Sequence, residues 1–512
     1  MMNRLLAAIV LSLAGAFSVA ADTKLLVSLL HYPTWSASPG DELLILPHIW
    51  NVGDEAARDV VLTFTLPPGS KFTREMTPSD WHCVADRSTM TCRIASIPAR
   101  GREVDVYGEF AAIVGGEATG NVGLHYTVTS ANAPREEQTL QFLVWRMLTV
   151  TSTGDSGPGS LRDVLERANQ VCNGTEQCSI RFDVATPAKF EPLTPLPPIT
   201  ACGVISVDTR TSTRDNQYEL SGARVGTGSG LEIRSQCEDG SRMLFVDGLT
   251  INDFPEDGMR ILPAGAEYAV VLYDMRIGTD RTGTQPRPNG SRGIAVVSPV
   301  ASLTVSGSVI SMNARSGIYI WDARRAWIAE NSIVGNGASG IFARRGWLQG
   351  VRNTITRNRH WGISVVPGAN MGIVHHNEIH SNGGSPIDWG LDGPTLQESA
   401  GGAAAPVVRS ATFDPETGFT TIRGTLDVRT VLGERYEVGI YSNAPGRAEA
   451  ERWEGMSDMF SIYVPSPGIY EWKVVVRSDL RGRTLTAVTG VGIGDDFPTY
   501  TGSELSGPFE VN

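Results

Sequence analysis

Apolar residues in the second half of the chain return in a fixed phrase: an isoleucine, two residues, an asparagine, three residues, a glycine and another aliphatic. The copies begin at Ile310, Ile333, Ile355 and Ile379, and the last has Pro386 where the others have Gly317, Gly340 and Gly362. Their first isoleucines lie 23, 22 and 24 residues apart, the signature of a solenoid with one repeat per coil. Five residues ahead stand Val246, Leu272, Val305, Ile328, Gly350 and Val374, which extends the register back to Ile251 and Ile277. Seven ahead stand Leu244, Val270, Leu303, Ala326, Leu348 and Gly372. After each Gly-Ile step the pattern alternates, with Ile318 and Ile320 against Tyr319 and Trp321, and Ile341 and Ala343 against Phe342 and Arg344. Period two with branched aliphatics on one face marks strands, and no 3.6 period competes with it. Three short strands fit each coil, joined at bends where Asn and Gly are expected to supply left-handed backbone. The fold class is therefore all-β: a right-handed parallel β-helix with about six clear coils between Leu244 and Asp388. The residues between Asp280 and Gly293 lengthen one coil and are expected as a surface loop.

Two asparagine columns follow from this register: Asn313, Asn336, Asn358 and Asn382, and Asn331, Asn353 and Asn377. An internal amide ladder explains them more simply than a ligand-binding stripe.

The ends add flanking modules. Residues 1–21 have a basic start, an apolar run and small residues before Asp22, which reads as a cleavable signal peptide. Residues 22–145 alternate short strand-like runs with Gly, Pro and Asn turns, as do residues 399–512, so two β-sandwiches flank a solenoid at 146–398. Ser160 as N-cap, with Asp163 three residues on and Leu161, Val164, Leu165 and Ala168 on one face, predicts a helix that caps the first coil. No apolar segment is long enough to span a bilayer. A net charge of −12 argues against nucleic acid as a partner. Six cysteines in an exported chain suggest disulfides. The sequence-near pairs are Cys83 with Cys92, Cys172 with Cys178 and Cys202 with Cys237, among 15 conceivable pairings.

Some of these motifs resemble known groups. Asn51-Val52-Gly53, Leu66-Pro67-Pro68-Gly69 and the Cys83/Cys92 pair resemble the immunoglobulin-like modules of bacterial surface proteins. Asp155-Ser-Gly157-Pro-Gly159-Ser160-Leu161-Arg162, Ala168-Asn169 and the closing Ile387-Asp388-Trp-Gly-Leu391-Asp392-Gly393 resemble the CSLREA-type group of secreted bacterial β-helix proteins. Thr501-Gly-Ser503-Glu504-Leu505-Ser506 resembles the tail of domains that follow such helices. The resemblance implies a pectate-lyase-like fold and no single activity.

Lyases and hydrolases on this scaffold need acids on neighbouring coils of one outward column. The columns that follow each Gly-Ile step hold Tyr319, Phe342 and Ser364, then Trp321, Arg344 and Val366, then Asp322, Arg345 and Pro367, with Asp322 the single acid. No metal site or cofactor is expected, and His360, His375, His376 and His380 fall at different offsets. What the columns offer is basic and aromatic. Between Arg315 and Trp361 eight arginines face only Asp322 and Glu330, with Trp321, Trp327, Trp347 and Trp361 interleaved. Aromatic planes stack on sugar rings, and guanidinium forks fit carboxylate, sulfate or phosphate. The candidate ligand-binding set is Tyr319, Trp321, Asp322, Arg324, Arg325, Trp327, Arg344, Arg345, Trp347, His360 and Trp361. The expected function is secreted or cell-surface binding of an extracellular polysaccharide or surface glycan. The alternative is a lyase or glycoside hydrolase acting on an anionic polysaccharide.

Overall fold

A computed structural model describes residues 23–512 apart from 33–35, 38, 77–80, 101–108, 117, 175, 210–215, 235–241, 263–267, 367–369, 372–375, 392–402, 431–434, 458–461 and 494–498. The expected signal peptide, Cys237, Gly372, Val374, Asp392, Gly393 and the expected boundary at 398/399 therefore lie outside the described residues. The chain forms two compact units that divide after Arg146.

The first unit packs two sheets around one core. One contains Leu25–Tyr32, Glu42–Asn51, Glu109–Ile113 and Lys71–Met76, and the other is six-stranded and centred on Ala57–Thr65, Thr89–Ile97, Gly120–Thr129 and Glu136–Val144. Alternation decides which side chains enter: Val60, Leu62 and Phe64 are fully buried, while Asp59 and Thr65 face out. Cys83 and Cys92 sit opposite one another on paired strands and are bonded.

The second unit is a parallel β-helix followed by a sandwich. Three sheets run along the coil stack. The first has nine strands, from Arg146–Val150 to Asn370–Met371. The second has eight, from Ala188–Phe190 to Glu378–His380, and the third has seven, from Leu231–Ile233 to Ile387–Trp389. From Gln177–Phe182 onward, neighbours in the first sheet pair in parallel. Among the described residues the inward columns are those read from the sequence. Ile310, Ile333, Ile355 and Ile379 stack on the second sheet, and Ile318, Ile341, Ile363 and Ile387 on the third, all essentially without solvent contact. The stack starts well before Leu244, because Ile180, Ile205 and Leu220 fill the same inward positions in coils that lack the Asn-Gly phrase.

Both asparagine columns are amide ladders. Asn313, Asn336 and Asn358 each donate from Nδ2 to the Oδ1 of the next asparagine at 3.0 Å. Each backbone N–H of the three also donates to that same oxygen. A second Nδ2 bond reaches the carbonyl of an isoleucine one coil back, as from Asn336 to Ile310 at 3.0 Å. Asn331, Asn353 and Asn377 repeat the scheme at the preceding corner, between the first and second sheets. Asn289, placed by the sequence reading in the long loop, heads the first ladder through Asn313. The insertion thus ends before it.

The corner backbone differs from expectation. The left-handed residue is neither the ladder asparagine nor the repeated glycine but the residue before each asparagine: Met312, Gly335, Arg357 and Ser381 in one column, Glu330, Arg352 and His376 in the other. The asparagines are there for their amides. The glycines serve close approach, since a Cβ on Gly340 would lie 2.5 Å from Ile355 Cγ2 and 2.8 Å from the Gly362 carbonyl.

Each end of the stack is covered. At the start, the helix Leu161–Val171 lays Leu161, Val164, Leu165 and Ala168 over the coil interior. Ser160 Oγ accepts from the Asp163 amide at 3.2 Å and Asp163 accepts from the Gly159 amide at 2.9 Å, a reciprocal cap. Asp155 anchors the approach, accepting from the Leu193 amide at 3.0 Å and from Arg162 at 2.9 Å. Those two donors hold its carboxyl below the usual carboxylate range. Cys172 and Cys178 tie the helix end to the first sheet, and Cys202 is also disulfide-bonded.

At the far end, the C-terminal module packs a three-stranded sheet against a six-stranded one and joins its core to the coil. Ile379 and Ala450 exchange backbone hydrogen bonds at 2.7 and 3.0 Å. Glu449 accepts from the Ser381 amide and Glu504 from the Trp389 amide. Trp453 lies against His376 and Tyr441.

Candidate functional site

The corner where the third sheet passes into the first holds most of the candidate residues. The third-sheet strand Ile318–Ile320 leads to Trp321 and Asp322, then to the first-sheet strand Ala323–Ala329. One coil on, Ile341–Ala343 leads through Arg344 and Arg345 to Gly346–Val351. The Arg344 guanidinium lies over the Trp321 ring, 3.5 Å from its centroid. Across the corner, Arg325 is the register partner of Trp347, and Trp327 of Gln349. A register irregularity between Ala323 and Arg325 leaves Arg324 and Arg325 both exposed at the start of that first-sheet strand. Arg325, Arg344 and Arg345 have no carboxylate partner among the described residues. Glu330 pairs with Arg352 instead, at the opposite end of the first-sheet strand, so that acid does not neutralise this corner.

Aromatic availability differs among the members. Tyr319 has both faces covered: Arg292 lies over one at 3.9 Å, and Phe342 stacks with it at 5.1 Å and 5°. Only its edge can meet a ligand. Trp321 is 40% exposed with Arg344 on one face, and Trp327 is 43% exposed on the flat of the first sheet. Trp327 thus presents the most open ring. The Trp347 Nε1 is buried without a partner.

His360 and Trp361 do not join this group. They lie ahead of Ile363, at the corner between the second and third sheets, where Trp361 packs over Gly384. A three-residue strand separates the two corners by roughly 10 Å. His376 and His380 sit beside the C-terminal module, and His375 lies outside the described residues. Among the described residues no cluster of His, Cys, Asp and Glu is arranged to hold a metal ion.

The sequence reading missed one pairing of acids. Asp208 and Asp247 are register partners on neighbouring coils of the first sheet, in an outward column that continues to Tyr273 and begins at Arg181. Phe245 lies beside Tyr273 at 5.4 Å. Asp247 is 3% exposed. Coil length hid this pair: Val204 pairs with Met243 while Arg325 pairs with Trp347, so a constant period does not align the early coils.

No helix among the described residues is long and apolar enough to cross a membrane. None of the curated proteins compared with this chain matches it. Among solved structures, a β-glucuronidase from glycoside hydrolase family 2 is 9% identical over 95% of this chain and 62% of its own length, so the chain spans under two thirds of it. The TM-score is 0.16. With three parallel sheets winding through it, the segment 229–399 matches the family of the right handed beta helix region.

Proposed function

We propose that this is a secreted or cell-surface β-helix protein that binds an anionic polysaccharide across the corner between its third and first sheets, without cleaving it. The observation that carries the reading is the set Trp321, Arg344, Arg345, Arg325 and Trp327, where cations without carboxylate partners flank open indole rings in a chain of net charge −12. Unneutralised guanidinium groups recognise carboxylate or sulfate as a fork, and an indole face covers a sugar ring. Coils spaced about 4.8 Å apart present such contacts as a ladder along an extended polymer. Disulfides and the leader-like first 21 residues support export.

The test is binding of the full chain to immobilised anionic and neutral polysaccharides, with W321A/R344A/R345A as the variant. Retention of anionic polymer that falls by about tenfold or more in the variant supports the reading, and unchanged retention overturns it.

A second reading, hydrolysis of the same class of polymer, has one observation in its favour: Asp208 beside Asp247 on adjacent coils. Paired carboxylates are the minimum for glycoside cleavage. Release of reducing ends that disappears in D208N and in D247N would favour it over binding.

A further inference from the structure

The three-stranded sheet of the C-terminal module (Val407–Asp414, Phe419–Val428, Gly468–Val476) carries a cationic feature that the coil corner does not account for. Arg423 and Lys473 are direct partners across antiparallel strands. Like charges in that relation are destabilising, so an antiparallel sheet ordinarily avoids them. Neither side chain has an ion pair, hydrogen bond or ring contact among the described residues. A third cation is brought beside them by a bulge. Val408 pairs with Gly424 and Ser410 with Arg423, which leaves Arg409 as the extra residue. Its Nε donates to Thr425 Oγ1 at 3.4 Å. Bulges of this kind re-aim a side chain.

These three residues, with Gly424, Thr425, Glu471 and Trp472, line a depression of about 350 Å³. That size is at the small end of ligand sites, enough for one compact molecule. Glu471, diagonal to Arg423, forms no ion pair with it and remains an acceptor at the rim.

We infer that this depression binds a single sugar unit bearing one oxyanion. Arg409, Arg423 and Lys473 converge on the phosphate, sulfate or carboxylate, and Thr425 and Glu471 meet ring hydroxyls. The site is separate from the coil corner and does not depend on the function proposed for it.

The experiment is calorimetric titration of the full chain at low salt with glucose 6-phosphate, glucose 6-sulfate, glucuronate and neutral glucose. At least one anionic sugar is expected to bind and glucose not to, and the anion preferred names the natural source. R423Q/K473Q is expected to weaken binding by about tenfold or more, while W327A/R345Q stays within about twofold of the parent. Thermal melting checks that R423Q/K473Q folds, which relief of like charges favours. R409Q, at an exposed bulge, serves as the second variant, with an expected loss of about threefold or more. Absence of binding by all three anionic sugars overturns the inference. So does parent-like binding by both charge variants, or a loss confined to W327A/R345Q.

Discussion

Ahead of the third sheet, Asn313, Asn336 and Asn358 direct their amide groups at one another and at backbone, and nothing polar is left over. Behind it, Arg344 stacks on Trp321 of the preceding coil, and Arg345 and Arg325 lie on neighbouring positions of the same corner without a carboxylate partner among the described residues. Both corners repeat polar or aromatic side chains once per coil, and burial separates them. Asn336 is 1% exposed and has water as no alternative, so its hydrogen bonds are structural. The arginine corner has water available and gains little stability from any one contact. Stacked repetition by itself therefore says nothing about function in a solenoid.

Asn336→Leu is the most direct way to break the comparison. It strips the acceptor from the Asn313 backbone and side chain and the donor from the Ile310 carbonyl, at an expected cost of about 3 kcal/mol in denaturant unfolding. A loss near zero would mean that the ladder is decorative. Gly340→Ala follows, at about 1–3 kcal/mol, because the methyl group meets Ile355 and the Gly362 carbonyl. At the start of the stack, Ser160→Ala removes the cap acceptor for the Asp163 amide and is expected to lower stability by about 1 kcal/mol. Trp321→Ala with Arg344→Gln sharpens the contrast from the other side. Its unfolding free energy is expected to shift by less than about 0.5 kcal/mol while polysaccharide retention falls.

The pH dependence gives the smallest effect. The folded pKa of Asp155 is lowered by the Leu193 amide and Arg162, against an unfolded value of about 3.9. Its contribution is therefore full above about pH 4 and lost as pH falls through the lower folded value. Asp155→Asn is expected to reduce stability at neutral pH and to flatten that portion of an acid titration followed by circular dichroism.

The late coils were legible because inward isoleucines, ladder asparagines and close-approach glycines recur at nearly constant spacing, so residue type and position carry the same message. The early coils were less so: Leu220 and Ile205 do the same packing, but insertions of different length break the period. The left-handed corner residue was misassigned because Met312, Arg357 and Ser381 are not types that advertise that conformation. Sequence offsets grouped His360 and Trp361 with the arginine corner, although a whole strand intervenes. The docking of Glu504 on Trp389 and Glu449 on Ser381 joins residues far apart in the chain, which no local pattern encodes. The ligand proposed for the corner was never in the periodicity, since solvent-facing columns are free to vary.

The closed ends have a consequence for assembly. An open parallel stack offers its last strand as a template, and identical copies could add end on end into a fibre. Here the Ile379 backbone is bonded to Ala450 and the Trp389 amide to Glu504, while a helix lies over the opposite mouth. The rod is a ruler of fixed length. Copies of it can come side by side without growing into one another.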